Sequence, residues 1–156
     1  MIISLNGLDE PHLVRLAARL APALRDGGTL YLRGDLGAGK TTFARALLQA
    51  LGVDARIKSP TYSLIESYRV GGLDIHHLDL YRIADPGELE WLGLAELSDG
   101  LSLVLVEWPE RGAGSLPSAD LQLRLDHADA GRDLAARALS LRGEAMLAAW
   151  DPARPG

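Results

Sequence analysis

Between Leu32 and Leu47 the chain reads LRGDLGAGKTTFARAL, and this stretch restricts the possible folds more than any other. Gly34-Asp35-Leu36-Gly37-Ala38-Gly39-Lys40-Thr41 fits G-x-x-x-x-G-K-[ST] at every required place. The glycines let the backbone curl so that successive N–H groups converge on one anion. The helix that follows presents its positive N-terminal end to the same anion. Lys40 adds a point charge able to reach β- and γ-phosphate oxygens. Thr41 supplies a hydroxyl for Mg²⁺, a hard cation that bridges phosphate oxygens. Thr42 has two readings, an α-phosphate contact or a filler of the first helical turn. The context fits a phosphate loop: Thr29–Leu32 reads as a short buried strand, and Thr41–Leu51 reads as a helix stopped by Gly52. The [NT]-K-x-D element of guanine-binding loops is missing, since Lys58 is followed by Ser59 and Pro60. ATP is therefore the expected nucleotide.

The flanking sequence points to an α/β sandwich. Ile2, Ile3 and Leu5 suggest a first strand. A helix opens at Asp9 or Glu10 with Leu13, Leu16, Leu20 and Leu24 on one face, and Pro22 should kink or shorten it. Leu64–Val70 and Leu73–Tyr81 read as a hairpin turned at Gly71-Gly72. Asp85-Pro86-Gly87-Glu88 carries a cap, a first-turn proline and a capping-box glutamate, the start of a helix. Leu101–Val106 is an apolar strand of central character. Leu121–Leu125 and Ala138–Leu141 suggest later strands, Glu144–Trp150 a last helix and residues 151–156 a frayed tail. The expectation is one α/β domain over residues 1–150, with helices flanking a mixed sheet of parallel core and antiparallel additions.

At 156 residues the chain can bury roughly 70% of its unfolded surface, enough for a core without staples. It has no cysteine, which excludes disulfides, thiolate metal sites and thiol catalysis and suits a reducing cytoplasm. Neither a signal peptide nor an apolar run long enough to span a bilayer is visible, so no membrane role is expected. Sixteen basic residues stand against 21 acidic ones, net charge −5, and there are only two lysines, Lys40 and Lys58. Nucleic-acid binders lean on a basic face. Any contact with RNA is therefore expected to run through a protein partner.

Opposite the phosphates a hydrolase needs a carboxylate near Mg²⁺ and a group that orients water. Leu103-Val104-Leu105-Val106-Glu107 is an apolar strand ending in an acid at the end where α/β sheets bind ligands. Pairing with Arg111 is the plainer alternative for Glu107, and function is favoured. Asp79, in HHLDLYR, divides evenly between a site role and a turn or a pair with Arg82. In a strand His76 and His77 point to opposite faces and cannot share an ion. His77 shares a face with Asp79, but a structural or surface histidine is the favoured reading. Thr61, in KSPTYS, is placed to sense a γ-phosphate or simply to enter a strand. Trp108 is core or a platform for a partner, and Arg132 beside Gly131 sits in a late loop where solvation is the commoner outcome.

Taken in order, GDLGAGKTT, KSPTYSLIESY, HLDLYRI, DPGELEWLGL and LVEWPERG resemble the bacterial TsaE family from about Gly34 to Gly114. The glycine-arginine pair at Arg132 extends the match. The resemblance implies a small single-domain P-loop NTPase that hydrolyses ATP with Mg²⁺ in the synthesis of threonylcarbamoyladenosine in tRNA. It implies partnership with TsaB and TsaD, hydrolysis resetting that pair, and tRNA met only through the complex. Thr41 and Glu107 would contact Mg²⁺. Asp79 would lie by the phosphates and be needed for activity, with Trp108 close by. The resemblance strengthens the nucleotide reading of Thr42 and Thr61, and places Glu10 and the Gly131–Arg132 pair near the base. The MLAAWDPARPG tail carries no family motif. Two rival readings stand: a small-molecule kinase, for which no lid-length insertion is visible, and a nucleotide-dependent docking switch with little turnover.

Overall fold

Leu103-Val104-Leu105-Val106-Glu107 is buried at every position, and a sheet with elements on both faces is built around it. The computed structural model describes residues 1–54, 57, 64–97 and 99–154. Among these, the order is β1 (Ile2–Leu8), α1 (Glu10–Leu20), β2 (Gly28–Arg33), α2 (Lys40–Leu51), β3 (Ile65–Val70), β4 (Leu73–Asp79), β5 (Leu103–Glu107), β6 (Leu121–His127), β7 (Arg132–Ala138) and α3 (Leu141–Trp150). Four 3₁₀ segments intervene, Ala21–Leu24, Pro86–Leu92, Leu94–Leu97 and Pro109–Gly112. The seven strands lie in the order β1-β7-β6-β2-β5-β4-β3. β6, β2, β5 and β4 run parallel; β3 at one edge and the β7–β1 pair at the other run antiparallel. This is the mixed sheet expected from the sequence.

Local signals account for most boundaries. Asp9 caps α1 by accepting from His12 N at 2.8 Å, and Leu13, Leu16 and Leu20 are buried beneath it. Pro22 does not kink α1 but ends it, and the chain continues as a 3₁₀ turn that still buries Leu24. Gly39 and Gly52, both left-handed, bracket α2, whose Phe43, Leu47 and Leu51 face the core. The Asp85–Glu88 capping box forms as expected, but the segment it opens is 3₁₀ and not α-helical. The apolar strand starts at Leu103, not Leu101, because Asp99 Oδ1 accepts both Leu101 N and Ser102 N and turns the chain there, leaving Leu101 exposed. The strand expected at Ala138–Leu141 is β7, six residues earlier in its start. Its inward positions include Leu134 and Ala136 among charged neighbours, and alanine signals strand weakly. Ser140 caps α3 by accepting from Gly143 N at 3.0 Å, so that helix begins at Leu141 and not at Glu144.

The alternation of side chains across the sheet divides the core in two. Leu30, Leu32, Leu103, Leu105, Leu121, Leu123 and Leu125 pack under α1, α2 and α3. Val104, Val106 and Leu78 point the other way, against Leu80, Ile83, Leu89 and Leu94. Ile75 belongs to the first cluster, so His77 and Asp79 follow it onto the α2 face, as Glu107 follows Leu103 and Leu105. In the parallel register Asp79 lies beside Glu107, and His77 beside Leu105. Strand periodicity alone thus brings two acids and a histidine beneath the start of α2.

Trp150 closes the helical layer. It is fully buried, donates its indole N–H to Leu16 O at 2.9 Å and meets Phe43 edge-on at 6.4 Å between ring centroids. Beyond it, Arg19 donates to the carbonyls of Asp151 and Arg154. Trp150→Ala is expected to lower the free energy of unfolding by about 3–5 kcal/mol through cavity formation. Urea denaturation followed by far-UV circular dichroism measures it; a loss below about 1 kcal/mol would mean that α3 is not part of the core.

Candidate nucleotide site

The phosphate loop leaves β2 at Arg33 and feeds α2. Gly34 adopts φ +143°, and a methyl group there would collide with the Leu125 carbonyl on β6, so the tight passage demands glycine. Ala38 N donates to Asp35 O at 3.1 Å and Phe43 N to Gly39 O at 2.9 Å, which sets the loop and the first helical turn. Two side chains, from the end of β6 and the start of β7, brace the loop. His127 Nε2 donates to Leu36 O at 3.0 Å, and Arg132 donates to Gly37 O at 3.0 Å.

Lys40 is buried at the root of α2 with 4% exposure. Its ammonium donates to Gly34 O and, at 2.8 Å, to Asp35 O, and lies 4.3 Å from the centroid of the Trp108 ring. Burial holds its pKa below the ordinary lysine value, against the opposing pull of Glu107, Glu110, Asp79 and Asp35. Trp108 reaches this position through a left-handed backbone, φ 59° and ψ 48°, directly after β5. Such a conformation costs a bulky residue on the order of 1–3 kcal/mol. The indole also packs on Tyr81 at 5.0 Å, and Arg111 stands over both rings at 5.4 and 5.6 Å. Trp108 thus packs on the second apolar cluster with one face of the ring turned to Lys40.

Glu107 has 2% exposure, and each carboxylate oxygen has a partner. Oε1 accepts from the Thr41 hydroxyl at 3.1 Å, and Oε2 lies 2.6 Å from His77 Nε2. The alternative partner weighed for Glu107, Arg111, instead donates to Ile83 O. Asp79 accepts from Tyr81 N at 3.0 Å, closing the turn after β4. Burial first, and then Glu107, raise its pKa above the ordinary aspartate value, against the lowering effects of Tyr81 N–H, His77 and Lys40. One cleft collects Lys40, Thr41, Thr42, Asp79, Glu107 and Trp108. An adjoining one, past Gly37, Gly39 and Thr42, is lined by Leu8, Glu10, Leu13, Gly131 and Arg132. Arg132 is the first residue of β7 and not a loop residue. Together the two clefts run from the carboxylates, past the loop and the N-terminus of α2, to the β1–β7 side of the sheet.

Comparison with known proteins settles the family of this arrangement. The profile described as "Threonylcarbamoyl adenosine biosynthesis protein TsaE" matches residues 8–135. The chain belongs to the TsaE family. It is 41% identical over 147 residues to the tRNA threonylcarbamoyladenosine biosynthesis protein TsaE of Haemophilus influenzae, covering 91% of this chain and 93% of that one. The Bacillus subtilis protein of the same name is 38% identical over 139 residues, covering 88% and 87%. A crystal structure titled as Bacillus subtilis YdiB superposes with a TM-score of 0.81 at 30% identity, covering 97% of this chain and 95% of that one. TsaE proteins are P-loop NTPases, and the α/β fold with a parallel core found here is that of the family.

Within the TsaE chain, the candidate residues fall into three groups. Lys40, Thr41, Asp79 and Glu107 converge on the first cleft; Glu10, Gly131 and Arg132 line the second; Thr42 borders both. Thr61 lies outside the described residues. His77, favoured in the sequence as structural or at the surface, is buried and bonded to Glu107. The signal that could have found it is its even spacing from Asp79 on one strand face, combined with the register between β4 and β5. His127 had no signal in the sequence, because its partner is a main-chain carbonyl.

The raised carboxyl of Asp79 has a consequence for stability. A folded pKa above the unfolded one means that protonated Asp79 favours the fold in acid, and that this contribution is lost as pH rises through the raised value. Asp79→Asn keeps an acceptor for Tyr81 N but has no charge to bury. It is expected to melt above the parent at neutral pH, the difference shrinking in acid. An equal or lower Tm at neutral pH, read by differential scanning fluorimetry, would contradict this.

Proposed function

We infer that this TsaE chain is a Mg²⁺-dependent ATPase subunit of the machinery that makes threonylcarbamoyladenosine in tRNA, working with TsaB and TsaD. The observation that carries the reading is the Thr41–Glu107 oxygen pair beside Lys40 at the phosphate loop. Hydroxyl and carboxylate oxygens suit a hard divalent ion, and Mg²⁺ on a nucleotide takes one or two protein oxygens and fills its remaining positions with phosphate and water. The donor set therefore fits Mg²⁺, with Thr41 and Glu107 as its protein ligands. The ion would neutralise phosphate charge when bound.

The loop amides from Gly34 to Gly39 and the N-terminus of α2 would hold the phosphates, with Lys40 exchanging neutral carbonyl partners for anionic ones. Thr42 would reach the α-phosphate, and Glu10 with the Gly131–Arg132 pair would flank the base. Thr61 is assigned to the γ-phosphate by its place in the family motif. Asp79 would accept a hydrogen bond from a water, either the attacking one, oriented on the γ-phosphorus, or one in the second shell of the metal. The attacking water's oxygen would bond to that phosphorus as its bond to the bridging oxygen breaks; ADP would leave with that oxygen, and the proton lost by the water would go to the released phosphate.

Net charge −5 and the absence of any lysine or arginine run favour contact with tRNA through the TsaB–TsaD pair. Hydrolysis would reset that pair between turnovers, in the cytoplasm. No helix among the described residues is long and apolar enough to cross a membrane.

Lys40→Ala is expected to abolish ATP binding in titration calorimetry. Glu107→Ala is expected to spare most binding but lose Mg²⁺-dependent phosphate release. Undiminished ATPase in both variants would refute the assignment. A pull-down from bacterial lysate with and without ATP should recover TsaB and TsaD; failure under both conditions would overturn the partnership.

A further inference from the structure

His77 occupies a position whose cost is visible. The ring is 2% exposed, and its Nδ1 is fully enclosed with no hydrogen-bond partner among the described residues. Leaving a buried polar atom unmatched works against folding, and the few such atoms in native proteins tend to have a functional reason. A histidine kept only for packing could be replaced by an apolar side chain at no such cost. What the ring does make is one short bond, 2.6 Å from Nε2 to Glu107 Oε2. An ionised carboxylate only accepts, so the ring donates from Nε2.

The two oxygens of Glu107 are thus assigned different tasks. Oε2 is taken by His77, and Oε1 faces the Thr41 hydroxyl at 3.1 Å. Without a donor on Oε2 the Thr41 hydroxyl would be left as the one hydrogen bond that sets the last torsion of the carboxylate. The ammonium of Lys40 is close enough to attract the carboxylate. A turn toward it would take Oε1 away from Thr41.

We propose that His77 is a positioning residue for the metal side of this site. Its Nε2–H fixes the Glu107 carboxylate so that Oε1 is presented, together with the Thr41 hydroxyl, to the Mg²⁺ that accompanies ATP. The inference rests on the Mg²⁺–ATP reading given above and adds to it a residue that touches neither nucleotide nor metal. Groups that orient a metal-binding side chain from behind contribute on the order of 10- to 100-fold in metal affinity.

The test is the gain in ATP affinity on adding Mg²⁺, measured by titration calorimetry in EDTA and then in excess Mg²⁺. The full-length parent is compared with His77→Leu, which removes the donor, and His77→Gln, whose amide N–H₂ can take the place of Nε2. His77→Leu is expected to bind ATP in EDTA within about twofold of the parent and to lose about tenfold or more of the Mg²⁺ gain. His77→Gln is expected to recover most of that gain. Should His77→Leu not fold, His77→Asn, polar but too short to reach Glu107, takes its place under the same criterion. A donor-less variant with the parent's full Mg²⁺ gain overturns the inference, and so does equal loss in the glutamine variant. A parent that binds ATP no better with Mg²⁺ overturns the underlying reading, and the inference with it.

Discussion

A carboxylate at the end of an all-apolar strand must find donors or lose its charge. Glu107 finds two, Thr41 from the first turn of α2 and His77 from the neighbouring strand. This three-way contact ties together the parts of the molecule that have to agree. β5 sets the height of the acid, β4 sets the height of the histidine through its parallel register, and the phosphate loop sets the threonine. A slip of one residue in β4 would turn His77 and Asp79 to the opposite face and leave Glu107 half-paired. Removing one partner of a buried hydrogen bond and leaving the other unsatisfied typically costs about 1–3 kcal/mol, more at a charged group. The interaction therefore works as a check on register as well as a feature of the site.

The same end of the sheet carries three further unfavourable features. Lys40 is buried with a depressed pKa, Asp79 is buried with a raised one, and Trp108 holds a left-handed backbone. Each works against the fold of the empty protein. Their concentration around one cleft is the pattern expected where stability has been given up for binding or chemistry. The opposite pattern holds beneath α1, α2 and α3, where the apolar cluster is continuous and Trp150 finds a partner for its only polar atom.

How far these features were legible in the sequence varied with the range of the interaction. The phosphate loop, the capped start of α1, the Gly71-Gly72 hairpin and the apolar strand ending in Glu107 are local patterns, and all could be read. So could the mixed sheet, because hairpins and strand–helix alternation both leave periodic traces. β7 escaped because Ala135, Ala136 and Ala138 between charges carry almost no strand signal, and only pairing with β6 and β1 makes them a strand. The Pro86–Leu92 segment has every mark of a helix start and forms a 3₁₀ turn instead. Its cap is local information, but the turn is two stretches of 3₁₀ separated by a left-handed Gly93, which no cap specifies. His77 was half-legible: its face followed from spacing to Asp79, but its partner lies 30 positions along the chain, reachable only through sheet register.

The strands β6, β7 and β1, on the side of β2 away from β5, look like trimming on a core of β2, β5 and β4. Their contacts argue otherwise. The Leu125 carbonyl on β6 fills the space that forces Gly34 to be glycine, His127 at the end of β6 holds Leu36, and Arg132 at the start of β7 holds Gly37. Leu8, the last residue of β1, packs against Gly131 so closely that a side chain could not fit there. The outer wall of the phosphate loop is therefore built by these three strands, and three of the residues involved, Leu8, Gly131 and Arg132, also line the second cleft. β2, β4 and β5 supply the facing strand ends, and α2 its first turn. The other side of the cleft is made by folding the end of β6, the start of β7 and the end of β1 against the loop.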